Sequence, residues 1–208
     1  DVLENKESKA IKILKKSIPL AIAASGFMLC TKIDLFMISK IIDIKTAGFY
    51  SVSTKINESF LFIFSTLLLS IFAQITSNKK LKYSSYFKKI FFSTILFSGI
   101  IYFFSENIIE YFFGIEYIDS VLPLKILTWS LLFFTLYAFM SQISLLYNKV
   151  SNIMYSTSIM LILNISLNYI LIPKYLMEGA AASSLITLFI GCIILNFLIK
   201  KNVHYIVH

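Results

Sequence analysis

The amino-acid sequence predicts an all-α fold of the polytopic membrane class, and three observations support this prediction. Of the 208 residues, 58% are hydrophobic, and the mean hydropathy is +0.81. Soluble domains contain only roughly 45–50% apolar residues. Six apolar stretches are each long enough to cross a hydrocarbon core of about 30 Å, which takes about 20 helical residues. The sequence lacks the alternating segments of about ten residues that are typical of transmembrane β-barrels.

The six predicted helices follow one another with short connections. They cover Ser17–Ser39, Ala47–Ile75, Phe87–Ser105, Val121–Tyr147, Asn152–Ile172 and Gly179–Ile199. Pro123 stands in the first turn of the fourth helix, where its missing N–H costs little, and Pro173 ends the fifth. We therefore expect a six-helix transmembrane domain at 17–199, after a lysine-rich cytoplasmic linker at 1–16 and before a cytoplasmic tail at 200–208. The chain opens on Asp1 without a signal-peptide pattern, so we expect it to be part of a longer protein.

The lysines in the connections and near the ends of the predicted helices differ in number between the two sides of the membrane. Threading six helices places 13 lysines on the side of both termini and four on the other side. The positive-inside rule then predicts that both termini are cytoplasmic. This asymmetry accounts for the net charge of +8, so we expect contact with membrane lipids and no binding of nucleic acid.

Four charged residues lie inside the first two predicted helices: Lys32, Asp34, Lys55 and Glu58. A charge near the bilayer centre costs roughly 2.5–3.5 kcal/mol on insertion scales. Such residues are kept where they pair with one another, line a watery cavity or bind a ligand. The pattern favours a transporter.

Helical rise places two of these charges at similar depth. Asp34 lies roughly 9 Å below the outer end of the first helix, and Lys55 lies roughly 12 Å into the second. We therefore predict that Asp34 and Lys55 lie within reach of an ion pair in at least one conformation. Lys55 and Glu58 share one helical face, whereas Lys32 and Asp34, two residues apart, face differently.

Two interpretations of the four charges stay open. In one, they only neutralise one another, and Lys32 and Asp34 snorkel to the outer interface. In the other, they line a partly hydrated cavity of basic character. Lys32 and Lys55 would then bind an anionic headgroup, while Asp34 and Glu58 would serve ion coupling or charge pairing. Glu58 is the deepest carboxylate by this estimate and a candidate site for a proton or a cation.

The later helices carry amides in place of charges. Gln142 lies in the fourth helix, and Asn164 and Asn168 share one face of the fifth. They either bridge helices through hydrogen bonds or weakly line a path for sugars. The sequence contains no phosphate-binding glycine loop and no Cys/His cluster with zinc spacing. We therefore expect no catalytic residues, no metal, no cofactor and no enzymatic activity.

Four sets of residues carry a family resemblance: Ser17–Leu20, Thr31–Asp34, Thr46–Ser51 with Lys55–Glu58, and Leu167–Tyr175 with Gly179–Ala181. They resemble the polysaccharide flippases, the Wzx-like transporters of O-antigen and capsule precursors. These transporters belong to the multidrug/oligosaccharidyl-lipid/polysaccharide exporter superfamily. The resemblance covers nearly the whole chain, in the order of the family's carboxy-terminal six helices. The family commonly has Arg where this chain has Lys32 and Lys55, so the charge is kept but the bidentate guanidinium fork is lost.

The resemblance implies a function in surface polysaccharide synthesis. The transporter would flip a polyprenyl-pyrophosphate-linked oligosaccharide from the inner to the outer leaflet of the bacterial inner membrane. It would do so by alternating access between two six-helix lobes, of which this chain holds one. The implied partners are therefore the lipid-linked oligosaccharide, membrane lipids and a missing amino-terminal lobe.

Three alternatives remain beside this interpretation. A cation-coupled drug antiporter of the same superfamily would use Asp34 and Glu58, although the neighbouring lysines repel a cationic substrate. A lipid II flippase differs only in the sugar that it carries. An integral-membrane glycan polymerase needs an extracytoplasmic active site, and the short outer loops offer no His or Arg for one.

Overall fold

Five long α-helices and one short 3-10 helix make up the part of the chain that the structure, a computed structural model, describes. Backbone is described for residues 2–77 and 83–203, and side chains for residues 17–74 and 86–201. The helices are α1 (Val2–Ile41), α2 (Ile44–Ser77), α3 (Tyr83–Phe113), α4 (Val121–Leu146) and α5 (Val150–Val203), with the 3-10 helix at Ile115–Ser120. No strand occurs in these ranges, so the all-α polytopic class is confirmed.

Five helical stretches of the described chain are long and apolar enough to cross a membrane, and the fourth joins the 3-10 helix to α4. These stretches are Ser17–Ile41, Ile44–Gln74, Tyr86–Phe113, Ile115–Leu146 and Val150–Lys201. Large apolar side chains cover the outside of the bundle, and Phe62, Phe92 and Phe103 are 70–79% exposed. Such a surface fits lipid, because hydrocarbon solvates these rings as well as a protein core does.

The last helix folds back on itself. At Leu176 the backbone leaves the helical region, with φ 50° and ψ −128°, three residues after Pro173. Ser156 lies before this break and Gly191 lies after it, 35 residues further along the chain, yet the Ser156 hydroxyl donates to the carbonyl of Gly191 at 3.3 Å. A straight helix would separate these residues by about 50 Å. α5 is therefore an antiparallel hairpin, and its two arms are the predicted fifth and sixth helices.

A glycine permits the close approach of these two arms. A Cβ atom on Gly179 would collide with the backbone carbonyl of Leu171, across the tip of the hairpin. The hydroxyl of Ser183 bonds back to the carbonyl of Gly179 at 2.8 Å, within its own arm. Small residues bring helix backbones together in membranes in the same way.

Local signals fix the ends of α2 and α3. Asp43 caps α2, because its carboxylate accepts hydrogen bonds from the backbone N–H and the hydroxyl of Thr46 at 2.7 and 2.8 Å. These two bonds lower the pKa of the Asp43 carboxyl below its usual 3.8. Gly114 ends α3 with a φ of 94°, a conformation that only glycine adopts readily.

α4 lies between two pairs of elements. On one side it packs against both arms of α5, which also pack on α1, and on the other side it packs against α2 and α3. Buried hydroxyls join α2 to the start of α4. The Ser53 hydroxyl donates to the carbonyl of Ser120 at 2.6 Å, and the Ser120 hydroxyl donates to the carbonyl of Phe49 at 2.8 Å.

The predicted linker and tail lie mostly outside the described side chains. The backbone of residues 2–16 is helical and continuous with the rest of α1, and α5 extends to Val203. Residue 1, residues 78–82 in the predicted loop between the second and third helices, and residues 204–208 lie outside the described residues. The cytoplasmic placement of these segments stays a prediction.

Candidate functional site

A cavity of about 50 Å³, lined by both polar and apolar side chains, lies between α1, α2, α4 and α5. Its polar lining consists of Thr31, Asp34, Tyr50, Thr54, Asn57, Glu58, Ser130, Asn164, Ser184 and Thr187. On α2 the lining residues Tyr50, Thr54 and Asn57 follow at intervals of four and three residues, so they share one helical face. Two of the four predicted intramembrane charges, Asp34 and Glu58, line this one cavity.

Asp34 lies at the buried end of the cavity and is only 2% exposed. Its Oδ1 atom accepts a hydrogen bond from the amide of Asn168 at 2.6 Å. Its Oδ2 atom accepts from the hydroxyl of Tyr50 at 3.1 Å and from the hydroxyl of Ser184. These donors come from α2 and from both arms of α5. No lysine forms an ion pair with Asp34 among the described side chains.

The two asparagines of α5 extend this network. The amide of Asn168 also donates to Oδ1 of Asn164 at 3.1 Å. The Oδ1 atom of Asn168 is buried and has no hydrogen-bond partner among the described side chains. Asn168 therefore connects α5 to the Asp34 carboxylate of α1, while Asn164 also lines the cavity. A path for sugars along this face stays a prediction.

The other charges form a separate group at the more exposed end of the cavity. The ammonium of Lys32 forms an ion pair with Oε1 of Glu58, and the ammonium of Lys55 lies 3.8 Å from Oε2 of the same carboxylate. The side chains of Lys32, Glu58 and Lys55 are 42%, 29% and 69% exposed. Two ammonium groups thus share one carboxylate, which leaves an excess of positive charge.

The predicted ion pair between Asp34 and Lys55 does not form in this structure, and its formation in another conformation stays a prediction. Lys32 contacts Glu58, so α1 and α2 have nearly the register that the depth estimate predicts. The pair is absent because of the rotation of α2, which turns Tyr50 and Thr54 inward and leaves Lys55 largely exposed. Lys32 and Asp34 do face different partners, as their spacing predicts.

One residue that the sequence suggested lies outside this site, and several residues of the site were not predicted. Gln142 is partly buried in α4 but does not line the cavity. Among the missed residues are Tyr50, Ser184, Asn57 and Thr187. The spacing of Tyr50, Thr54 and Asn57 was a usable signal, because three polar groups on one helical face are unusual in lipid.

The described residues show no group suited to a metal centre of the His/Cys type. No three side chains of His, Cys, Asp or Glu converge among them. Cys30 and Cys192 are both buried and carry free thiols.

Two comparisons with known proteins place this geometry in a wider context. No protein-family profile matches the chain. The uncharacterized membrane protein MJ1375 of Methanocaldococcus jannaschii is 31% identical over 181 residues, which cover 85% of this chain and 43% of that protein. The solved structure of the lipid II flippase MurJ in an inward closed conformation superposes with a TM-score of 0.72 at 19% identity. The superposition covers 84% of this chain and 41% of the flippase chain.

The chain has the fold of part of that flippase. At 19% identity the likeness concerns the fold alone. The chain spans about two-fifths of the length of both proteins, 43% of one and 41% of the other.

Proposed function

We propose that this chain is one lobe of a transporter that flips the anionic headgroup of a lipid-linked oligosaccharide across the membrane. The observation that carries the proposal is the group in which Lys32 and Lys55 share the single carboxylate of Glu58 beside the cavity. Unbalanced positive charge is costly within a bilayer, and an anionic ligand offsets that cost. The fold shared with a lipid II flippase supports the choice of a lipid-linked substrate.

The two lysines take the role of binding the pyrophosphate. An ammonium attracts phosphate as a point charge, without the bidentate geometry of arginine. The arrangement disfavours a cationic drug as the substrate, because the uncompensated charge beside the cavity would repel it. Glu58 takes the role of a charge partner that holds both lysines when no headgroup is bound.

Asp34 takes the role of the ion-coupling carboxylate. It is buried, it lacks a lysine partner among the described residues, and its described partners are the uncharged hydroxyls of Tyr50 and Ser184 and the amide of Asn168. The unpartnered Oδ1 of Asn168 and the hydroxyl of Ser184 are the kinds of oxygen that hard cations prefer. A proton or a monovalent cation at Asp34 would neutralise the carboxylate and supply energy from an ion gradient.

The complete transporter pairs this lobe with a second lobe of six helices, because the chain spans only two-fifths of the proteins that it matches. We place it in the plasma membrane of a bacterium with both ends of this segment cytoplasmic, in line with the lysine asymmetry. Its glycan is a precursor of a surface polysaccharide such as O-antigen or capsule. Lipid II is the alternative cargo.

The test uses the complete transporter in proteoliposomes that contain a fluorescent polyprenyl-pyrophosphate oligosaccharide. A membrane-impermeant reductant quenches only the fluorophores in the outer leaflet, so the quenching rate reports flipping. We expect Lys32→Ala or Lys55→Ala to slow flipping by about 10- to 150-fold, which corresponds to the 1.5–3 kcal/mol of a hydrogen bond to a charged group. Lys32→Arg keeps the charge and should retain most of the rate.

Lys45→Ala is the matched control, because Lys45 also lies in α2 but outside the cavity, over the ring of Phe49. Full flipping by reconstituted Lys32→Ala and Lys55→Ala proteins would refute the proposal. Running the assay with a repeating-unit oligosaccharide and with lipid II distinguishes the two cargoes.

A further inference from the structure

Two residues that line the cavity each bury a polar atom without a partner. The atoms are Oδ1 of Asn57, on α2, and Oγ1 of Thr187, on the second arm of α5. Asn57 is 7% exposed and Thr187 is 2% exposed, and neither atom meets a hydrogen-bonding group among the described residues. Buried polar atoms without a partner are rare and costly, so these two indicate a ligand that supplies the missing hydrogen bonds.

The exposed wall of the cavity is otherwise largely apolar. Leu127, Phe134 and Met160 are among the side chains that form it. Asp34, at the buried end, already accepts three hydrogen bonds from described residues. Binding sites in which a few polar atoms interrupt an apolar wall use the wall for affinity and the polar atoms to orient the ligand. The ligand that fits this cavity is therefore a small uncharged group with both apolar and polar parts.

An acetamido group has both of these properties. Oδ1 of Asn57 is an acceptor and would receive the N–H of the amide, while the hydroxyl of Thr187 would donate to the amide carbonyl. The methyl group would then lie against the apolar wall. The cavity of about 50 Å³ is larger than the roughly 30 Å³ that one water molecule occupies, so it admits a substituent of a few heavy atoms and excludes a whole sugar ring.

The cavity ends beside the charged group that is proposed to bind pyrophosphate. Glu58 lines the cavity, directly follows Asn57 in α2 and pairs with Lys32. The Glu58 side chain is 29% exposed and Asp34 only 2%, so a ligand enters from the Glu58 end. In a 2-acetamido sugar the amide stands on the ring carbon next to the one that carries the phosphate. A pyrophosphate held by Lys32 and Lys55 therefore brings this amide to the mouth of the cavity.

We infer that Asn57 and Thr187 form a subsite for the acetamido group of the sugar that is bonded to the pyrophosphate. The amide enters the cavity, while the sugar ring stays outside with the phosphates. The subsite selects lipid carriers whose first sugar is a 2-acetamido sugar. This inference rests on the proposed function and narrows its substrate to one class of first sugar.

Binding of three defined carriers to the complete transporter in nanodiscs tests the inference. One carrier is a polyprenyl pyrophosphate without sugar, the second bears N-acetylglucosamine, and the third bears glucose, which has a hydroxyl in place of the acetamido group. We expect the wild type to bind the N-acetylglucosamine carrier about 5- to 150-fold more tightly than the glucose carrier, as for buried polar groups that lose their partners. Equal affinities for the two sugars, or a preference for glucose, would overturn the inference.

Nearly isosteric substitutions assign this preference to the two residues. Asn57→Leu and Thr187→Val remove the unpartnered atoms and keep similar side-chain shapes. We expect each single variant to lose part of the preference and the double variant to lose all of it. The control Thr66→Val removes an exposed hydroxyl of α2 that bonds only within its helix, and it should keep the full preference.

Binding of the sugar-free carrier in the same samples shows that each variant is folded. Variants that bind this carrier and keep the full preference for N-acetylglucosamine would refute the role of Asn57 and Thr187.

The proposed function would fail in a different way. A wild type that binds none of the three carriers, or a Lys32→Ala variant that binds all three as tightly as the wild type, would refute the headgroup site and the subsite together. Carriers that bind through Lys32 without any distinction between the two sugars would refute the subsite alone.

Discussion

The hydroxyl of Ser184 provides the sharpest test of the network around Asp34. Ser184→Ala removes one of the two donors to Oδ2 of a carboxylate that is 2% exposed. Hydrogen bonds to charged groups contribute about 1.5–3 kcal/mol, and we expect the free energy of unfolding to fall by that amount. A neutral hydrogen bond between transmembrane helices averages only about 0.6 kcal/mol, so the size of the loss reports the charge on its partner.

The neighbouring residue supplies the matched control. Ser183 is also buried, but its hydroxyl bonds only to the carbonyl of Gly179 within its own arm. We expect Ser183→Ala to change the free energy by less than about 0.5 kcal/mol, because such a bond competes with the helix and adds little. The measurement is reversible unfolding in mixed micelles, followed by circular dichroism at neutral pH.

A double-mutant cycle isolates the contact from other effects of the substitution. In an Asp34→Asn background the partner of Ser184 is neutral, so the loss caused by Ser184→Ala should shrink to about 0.6 kcal/mol. Two results would refute the reasoning. One is an equal loss for Ser183→Ala and Ser184→Ala in the wild-type protein. The other is a loss for Ser184→Ala that stays the same in the Asp34→Asn background.

Three further predictions follow from the fold. Gly179→Ala should abolish stable expression, because its Cβ would collide with a backbone carbonyl. Gly99→Ala, which has open space around its Cβ, should raise the free energy of unfolding by about 0.4–1 kcal/mol in a thermal melt. Equal behaviour of the two variants would contradict the hairpin packing. The stabilisation by the Asp43 cap should be complete above pH 3.8 and disappear as the pH falls through the lowered pKa of that carboxyl, so the melting temperatures of the wild type and Asp43→Ala should converge in acid. A cysteine placed at Asn148 should react with an impermeant maleimide only from the cytoplasmic side, and one at Glu116 only from outside; the reverse pattern would invert the topology.

Much of the fold was predictable from the sequence because the bilayer imposes one dominant rule. Every backbone polar group in hydrocarbon needs an internal partner, so long apolar stretches become helices. Pro173 predicted the end of the fifth helix, and the sixth helix was predicted to begin at Gly179. The tight hairpin that joins them was not predictable, because nothing in local propensity specifies the φ of 50° at Leu176.

The site was predictable in its residues but not in its pairings. Helical rise gave the depth of Asp34, Lys55 and Glu58, and that depth is fixed by 1.5 Å per residue. Rotation of a helix that is apolar on most sides is fixed only by packing against its neighbours. The sequence therefore identified the charged residues, whereas the packing determines their partners. Asp34 accepts hydrogen bonds from Tyr50, Asn168 and Ser184, and both lysines pair with Glu58.

Flipping under an imposed ion gradient tests the central claim most directly. In proteoliposomes with the complete transporter, a tenfold gradient of protons or of Na⁺ supplies about 1.4 kcal/mol per ion. If Asp34 couples one ion to one headgroup, one of these gradients should shift the steady-state distribution of the labelled lipid between leaflets by up to about tenfold. Asp34→Asn, expressed and folded, should flip without any response to either gradient. A wild-type protein that ignores both gradients, or an Asp34→Asn protein that still follows one, would contradict the account.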